Sequence, residues 1–197
     1  MITNILVAGI GGQGVMTAAE LLARAALTAG LEVTKTEFAG MSQRGGSVCS
    51  QVRIGEHVRA SAIRPGSAQR LLALESAEAL RYRAYLAADG IAFVSTLRAV
   101  PPVVSSGAST YPEAAAERLR ESGVRVIEVD APGIARSLGD VRLANIVMLG
   151  AASSALPLDA RILQAEVLAR FARDPRLAQL NAAAFAAGER LALAPAA

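Results

Sequence analysis

The chain carries one cysteine, Cys49, and one histidine, His57, in 197 residues. No disulfide can form within it. A zinc or iron–sulfur centre held by Cys and His of this chain alone is excluded as well. A Ser-His-Asp or Cys-His catalytic set would have to use His57. If the function involves electron transfer, the redox metal belongs to another chain. Tryptophan is absent and aromatics amount to 4%, so the core must be built from Ala, Leu, Val and Ile. Lys35 is the only lysine, the remaining bases being arginines, and the formal net charge is +3. Without a Lys/Arg tract or interleaved aromatics, nothing points to nucleic acid. The longest uncharged apolar run, Leu143 to Leu158, is broken by Asn145, Ser153, Ser154 and Pro157. A membrane-spanning helix needs about 20 apolar residues. The Met1-Ile2-Thr3-Asn4 start runs straight into an apolar segment with no basic leader. The expectation is a cytoplasmic protein with no membrane association.

With 53% hydrophobic and 19% charged residues, there is ample material for a core, and the length suits one domain. Ile5-Leu6-Val7-Ala8 reads as a buried strand running into glycines. Residues 15–29 follow as a helix, with Val15, Ala18, Ala19, Leu22 and Ala26 on one face and Gly30 as C-cap. Leu31 to Phe38 alternates like a strand, which predicts a right-handed, parallel β-α-β unit. Ser47–Arg53 and His57–Ala62 read as an antiparallel hairpin turning at Ile54-Gly55-Glu56. Leu71–Leu74 and Gly90–Ser95 read as strands flanking a helix over Ala77–Ala87. Residues 97–112 read as an irregular crossover. Tyr111–Ser122 is a predicted helix and Val124–Val129 a strand. The remainder is helical: Gly133–Leu138, Val141–Ala155, Asp159–Phe171 and Pro175–Leu193, with Asp159 and Asp174 as N-caps. The expected fold is α/β: three layers, Rossmann-like, a mostly parallel sheet with an antiparallel hairpin, and a helical C-terminal region.

Gly9-Ile10-Gly11-Gly12-Gln13-Gly14 fits G-x-G-x-x-G between a strand and a helix. Glycines allow a tight turn and close approach to a phosphate, and the helix start offers free N–H groups and a positive dipole end. The bland reading is a tight turn that packs helix on sheet and binds nothing. A dinucleotide fold also wants an acid about 20 residues on, and Glu37 could serve. A second loop follows, Gly40-Met41-Ser42-Gln43-Arg44-Gly45-Gly46. Its hydroxyl, amide and guanidinium beside paired glycines make an anion cradle or, equally, a mobile surface loop. Five arginines between Arg44 and Arg70, with Glu56 as the one acid, form either a phosphate- or partner-facing patch or a solvated face. Cys49 reads as a buried strand thiol and His57 as a solvated hairpin residue. Tyr82 and Tyr85 read as interface or core.

Taken together, GIGGQGV at 9–15 and GMSQRGGSV at 40–48 resemble the small subunit of 2-oxoacid:ferredoxin oxidoreductases, most closely the indolepyruvate type. LLALESAEALRY at 71–82, ANIVMLGA at 144–151, LPL at 156–158 and LNAAAFAAG at 180–188 extend the resemblance in order along nearly the whole chain. The resemblance implies one gamma-type domain over 1–197. It implies a complex that oxidatively decarboxylates a 2-oxoacid with coenzyme A, giving an acyl-CoA and reduced ferredoxin. Thiamine diphosphate and the iron–sulfur clusters would sit in a larger partner subunit, leaving this chain inactive alone and open to homodimerisation. Gly139-Asp140-Val141 begins like a thiamine motif but lacks its third glycine and downstream Asn, in keeping with that division. Carried over by position, the binding residues are Gly9, Gly11, Gly12, Gln13 and Gly14, then Ser42, Gln43, Arg44, Gly45 and Gly46, and Asn145. No residue stands out as acid, base or nucleophile. The competing readings are a free-standing NAD(P) or flavin oxidoreductase and a non-catalytic paralogue.

Overall fold

A computed structural model describes residues 1–39, 45–100, 102–105, 107 and 110–192. In chain order these form β1 (Ile2–Ile10), α1 (Val15–Thr28), β2 (Glu32–Ala39), β3 (Ser47–Gly55), β4 (Ala68–Ala73) and α2 (Ser76–Arg81). After a short 3₁₀ turn come β5 (Leu86–Ser95), α3 (Pro102–Ser105), α4 (Ala115–Glu121), β6 (Arg125–Val129) and α5 (Ala131–Ser137). A second 3₁₀ turn over Val141–Leu143 leads into α6 (Ala144–Ala152), and α7 (Ala160–Phe171) and α8 (Pro175–Ala192) end the fold.

The six strands lie in the order β2-β3-β1-β4-β5-β6. β1, β4, β5 and β6 pair in parallel, while β3 runs antiparallel to both β1 and β2. The mixed α/β fold is therefore as expected, but two connections differ. β1 and β2 point the same way without touching, because β3 is inserted between them. The antiparallel pair of consecutive strands is β2–β3, and His57–Ala62 forms no strand. Val58, Ala60 and Ala62 of that segment do alternate with His57, Arg59 and Ser61, but no described strand of the sheet pairs with its backbone. Side chains satisfy its backbone instead: Val58 N donates to Glu32 Oε2 at 2.7 Å, and Ile63 N to Gln51 Oε1 at 2.6 Å. It thus lies against β2 and β3 with no ladder of its own.

Strand alternation sorts the core into two layers. Ile5, Val7, Leu72 and Phe93 face the core shared with α1, α5, α6, α7 and α8. Leu6, Ala8, Leu71, Ala73 and Val94 face the second core, with Ala79 of α2, Leu119 of α4 and Cys49. Strands buried on both faces carry the near-continuous apolar runs seen in β1 and β4. α1 ends with Leu31 N donating to Ala26 O and Gly30 N to Leu27 O, both at 3.0 Å, the Schellman pattern behind the expected C-cap. Asp159 and Asp174 cap α7 and α8 as read, accepting from the Arg161 and Arg176 amides. Two expected helices are shorter than their apolar pattern. α2 stops at Arg81, because the chain must turn to start β5 at Leu86. α4 starts at Ala115, after Ala114 takes a left-handed φ of 52° and Tyr111 is drawn onto Glu75.

The arginine cluster does not form one patch. Arg53 lies on the second-core face and bonds Asn4 Oδ1 and Ala60 O. Arg70 lies on the other face and bonds Ala155 O. His57 is solvated, 3.6 Å from Glu32, but not in a hairpin. Tyr82 and Tyr85 pack against the second core with ring centroids 6.2 Å apart.

Candidate functional site

The C-terminal ends of the parallel strands share one edge of the sheet, and the first glycine turn lies on it. Gln13 closes this turn on itself: its amide donates to Ile10 O at 3.1 Å, and its Oε1 accepts from Ile10 N at 2.8 Å. The Gln13 carbonyl is thereby spent on the protein. Gly14 opens α1 at φ 82°, and a Cβ there would fall on the Asn145 side-chain amide. Only glycine meets both conditions. Asn145 Nδ2 in turn reaches Gly14 O at 3.4 Å. No side chain caps α1 and its first turn has no acid, so among the described residues its leading N–H groups and positive dipole end have no anionic partner.

The second glycine turn meets the first. Gly11 N donates to Gly46 O at 2.9 Å, beside the paired Ile10 and Ser47 of β1 and β3. Gly45 and Gly46 are thus brought to the first turn. Ser42, Gln43 and Arg44 lie outside the described residues.

A polar network anchors the start of β3 next to this contact. The Ser47 hydroxyl donates to Glu78 Oε2 and lies 3.2 Å from the Tyr82 hydroxyl, while Arg81 Nε donates to Glu78 Oε1 at 2.9 Å. Glu75 is fully buried and accepts from the Glu78 amide at 3.1 Å, from the Ala99 amide at 3.0 Å and from the Tyr111 hydroxyl. Burial and the Glu75 carboxylate both push the Tyr111 phenol up, so it stays a donor. Both carboxylates are engaged by donors from other elements, which makes the cluster a brace for the start of β3.

On the other side of the first turn a cleft of about 400 Å³ opens. Gly12, Gln13 and Gly14 line it on one side. Leu74, Ser95 and Leu97 come from the strand ends, Arg136 from α5, and Arg142, Asn145 and Met148 from the approach to α6 and from α6 itself. Arg142 is already held by Asp140 in a bidentate pair, with contacts of 2.6 and 2.9 Å. Hydrogen bonds from Arg142 hold the Asp140 carboxyl down at about 2. Sequence reasoning found Gly12 to Gly14 and Asn145 but missed Ser95, Arg136 and Arg142. No local motif marks them, since only the strand order brings the end of β5 beside the first turn.

Glu37 does not take the place of a ribose-binding acid. It sits on the edge strand β2, two strands from β1, and pairs with Lys35 at 2.9 Å. Burial lowers the Lys35 pKa, but Glu37 and Glu20 outweigh it and hold the ammonium above its usual range. Cys49 is fully buried in β3, and burial pushes its thiol up to about 12. A thiol in that state is no metal-ligating thiolate at neutral pH.

The family model for pyruvate ferredoxin/flavodoxin oxidoreductase matches residues 4–191. The chain belongs to this family. Indolepyruvate oxidoreductase subunit IorB of Archaeoglobus fulgidus is 46% identical over 149 residues, 75% of this chain and 74% of that protein. The subunit of the same name from Thermococcus kodakarensis is 38% identical over 193 residues, 96% of this chain and 95% of that one. The solved gamma subunit of a keto/oxoacid ferredoxin oxidoreductase from Geobacter sulfurreducens superposes with a TM-score of 0.69 at 25% identity, covering 97% of this chain and 98% of that one. The 2-oxoglutarate:ferredoxin oxidoreductase of Magnetococcus marinus, solved with 2-oxoglutarate, coenzyme A and succinyl-CoA bound, superposes with a TM-score of 0.78 at 21% identity. This family member covers 32% of that longer polypeptide and is itself covered to 99%, a likeness of fold. Among its described residues no helix is long and apolar enough to cross a membrane.

Proposed function

We propose that the chain is the small subunit of a 2-oxoacid:ferredoxin oxidoreductase of the indolepyruvate type. It supports coenzyme A-dependent oxidative decarboxylation of an aryl 2-oxoacid, with the electrons passing to ferredoxin. Thiamine diphosphate, which stabilises the carbanion, and the iron–sulfur clusters belong to a larger partner subunit. The chain's single, buried cysteine suits that division.

The contribution of this chain is an anion-receptive rim made by Gly9, Gly11, Gly12, Gln13 and Gly14 with Ser42, Gln43, Arg44, Gly45, Gly46 and Asn145. The observation that carries this reading is the Gly11–Gly46 hydrogen bond, which makes one edge of the two glycine turns beside an uncapped helix start. Backbone N–H groups and the α1 dipole bind and orient anionic parts of coenzyme A there. The brace through Glu75, Glu78 and Tyr111 holds the rim in place before ligand arrives, which lowers the ordering cost of binding.

Co-expression with a large subunit that carries thiamine diphosphate and iron–sulfur motifs, followed by viologen reduction with a panel of 2-oxoacids, tests the proposal. Reduction that requires both chains and coenzyme A, with aryl 2-oxoacids preferred, is the expected result. Hydride transfer to a nicotinamide by the isolated chain would overturn it.

A further inference from the structure

The two edges of the sheet differ. β6 has five residues, with exposed charges at Arg125 and Glu128, the short and charged form that keeps an edge from pairing. β2 forms the other edge with eight residues, in unbroken register with β3 and without a proline. Among the described strands none lies beyond it.

The ladder decides which β2 groups are free. Gly11 N donates to Gly46 O, so in the same β1–β3 register Val48, Ser50, Val52 and Ile54 turn their backbone groups to β1. Leu74 N donating to Ala8 O agrees, because Ala8 then faces β4 and not β3. Cys49, Gln51, Arg53 and Gly55 are left to bond β2, and their partners there are Phe38, Thr36, Thr34 and Glu32. The N–H and C=O groups of Val33, Lys35, Glu37 and Ala39 therefore point outward from the sheet edge.

This edge complements itself in one register. An antiparallel β2 from a second copy, related by a two-fold axis at Thr36, sets Lys35 opposite Glu37 and Glu37 opposite Lys35. Val33 and Ala39 oppose each other toward the ends. Phe38, 50% exposed and on the same sheet face as Thr34, comes opposite the second copy's Thr34, an aromatic ring against a β-branched side chain. The adjacent registers set Lys35 on Lys35 or Glu37 on Glu37, like charges directly opposite. Lys35 already lies 2.9 Å from both Glu20 and Glu37 of its own chain, so across the axis its ammonium meets a further carboxylate and no second base. We propose that β2 is the homodimer interface of the free subunit. Two copies pair β2 to β2, antiparallel about Thr36, and their six-stranded sheets become one. The inference stands apart from the coenzyme A reading, which needs only the opposite side of β3.

Sedimentation equilibrium of the full-length chain, with disulfide trapping across the axis, is the test. The parent chain is expected to dimerise in a concentration-dependent way. E37P removes an outward N–H that the β3 ladder does not use, so it keeps the circular dichroism of the parent and sediments as a monomer. E37K sets like charges opposite each other twice and weakens the dimer about tenfold or more, and K35E/E37K, which exchanges the two charges, recovers most of that loss. Thr36 meets its own copy at a pair without hydrogen bonds, where Cα atoms lie about 4.5 Å apart, so T36C closes an interchain disulfide under mild oxidation. T34C lies opposite Phe38 and does not link to itself. The native Cys49 is fully buried and stays out of the trapping. A chain that is monomeric at every concentration overturns the proposal. So does a dimer that neither E37P nor E37K weakens, or one that T34C traps and T36C does not. A monomeric chain whose binding to the large subunit is lost in E37P assigns the edge to a strand of that partner and overturns the second-copy assignment.

Discussion

The Gly11 amide donates to the Gly46 carbonyl across 2.9 Å, joining two glycine turns that are distant in sequence. The contact follows from strand order. Because β3 returns antiparallel beside β1, the residue that opens β3 lies opposite the residue that closes β1, Ser47 against Ile10. The turn entering β3 must then abut the turn leaving β1.

Gly14 and Asn145 are expected to be coupled. G14A strains a backbone at φ 82° and drives a methyl group into the Asn145 amide, at a cost of about 2–4 kcal/mol. N145A removes the obstruction but not the strain, so G14A costs at least 1 kcal/mol less in that background. Urea denaturation of the four chains measures the coupling. Strict additivity would show that the two side chains do not meet.

α6 and α8 approach through glycine. A Cβ at Gly188 would fall on the Val147 carbonyl, leaving no room for a side chain between the helices. G188A is expected to lose about 1–3 kcal/mol through overpacking. A183S, on the exposed side of α8, should stay within about 0.5 kcal/mol of the parent in the same denaturation experiment.

The Glu75 carboxylate accepts three donors in full burial. E75A orphans all three and is expected to cost about 2–4 kcal/mol, whereas Y111F removes one of them and costs about 1 kcal/mol. The double variant should cost less than the sum, since the Tyr111 hydroxyl has no bond left to lose. Thermal denaturation with matched urea titrations reads the difference.

The Cys49 thiol is raised from 9.0 to about 12 by burial. Between those values the unfolded chain releases its proton and the fold retains it. This group therefore favours folding at lower pH and withdraws that support as pH rises from about 9 to about 12. At pH 8 the native chain should react with a thiol reagent at least a hundredfold more slowly than the urea-unfolded chain. C49A should flatten the loss of stability measured in alkaline titration. Fast labelling of the native chain would place the thiol outside the core.

How much of this was legible beforehand depends on the range of the interaction. The Gly9–Gly14 turn, the α1 pattern and the Asp159 and Asp174 caps are written in contiguous residues, and each folds as read. The 57–62 segment was misread as a strand because Ile54-Gly55-Glu56 reads as a hairpin turn, whereas Ile54 and Gly55 are paired within β3. What replaces the ladder is a pair of side chains, Glu32 and Gln51, from other strands. Ser95, Arg136 and Arg142 carried no sign of their place in the cleft, since none belongs to a local motif.

Composition and local pattern alone determined that this chain has an α/β fold with an Ala- and Leu-rich core, two glycine turns and no cysteine to spare for a metal cluster. They could do so because hydrophobic periodicity, capping and residue chemistry act over a few positions. Tertiary structure alone decided that β3 separates β1 from β2, that Gly46 touches Gly11, that Glu37 stands apart, and that Arg136 enters the cleft. Those outcomes depend on which strands pair, and pairing is selected by burial summed over the whole sheet, which no short stretch of sequence records.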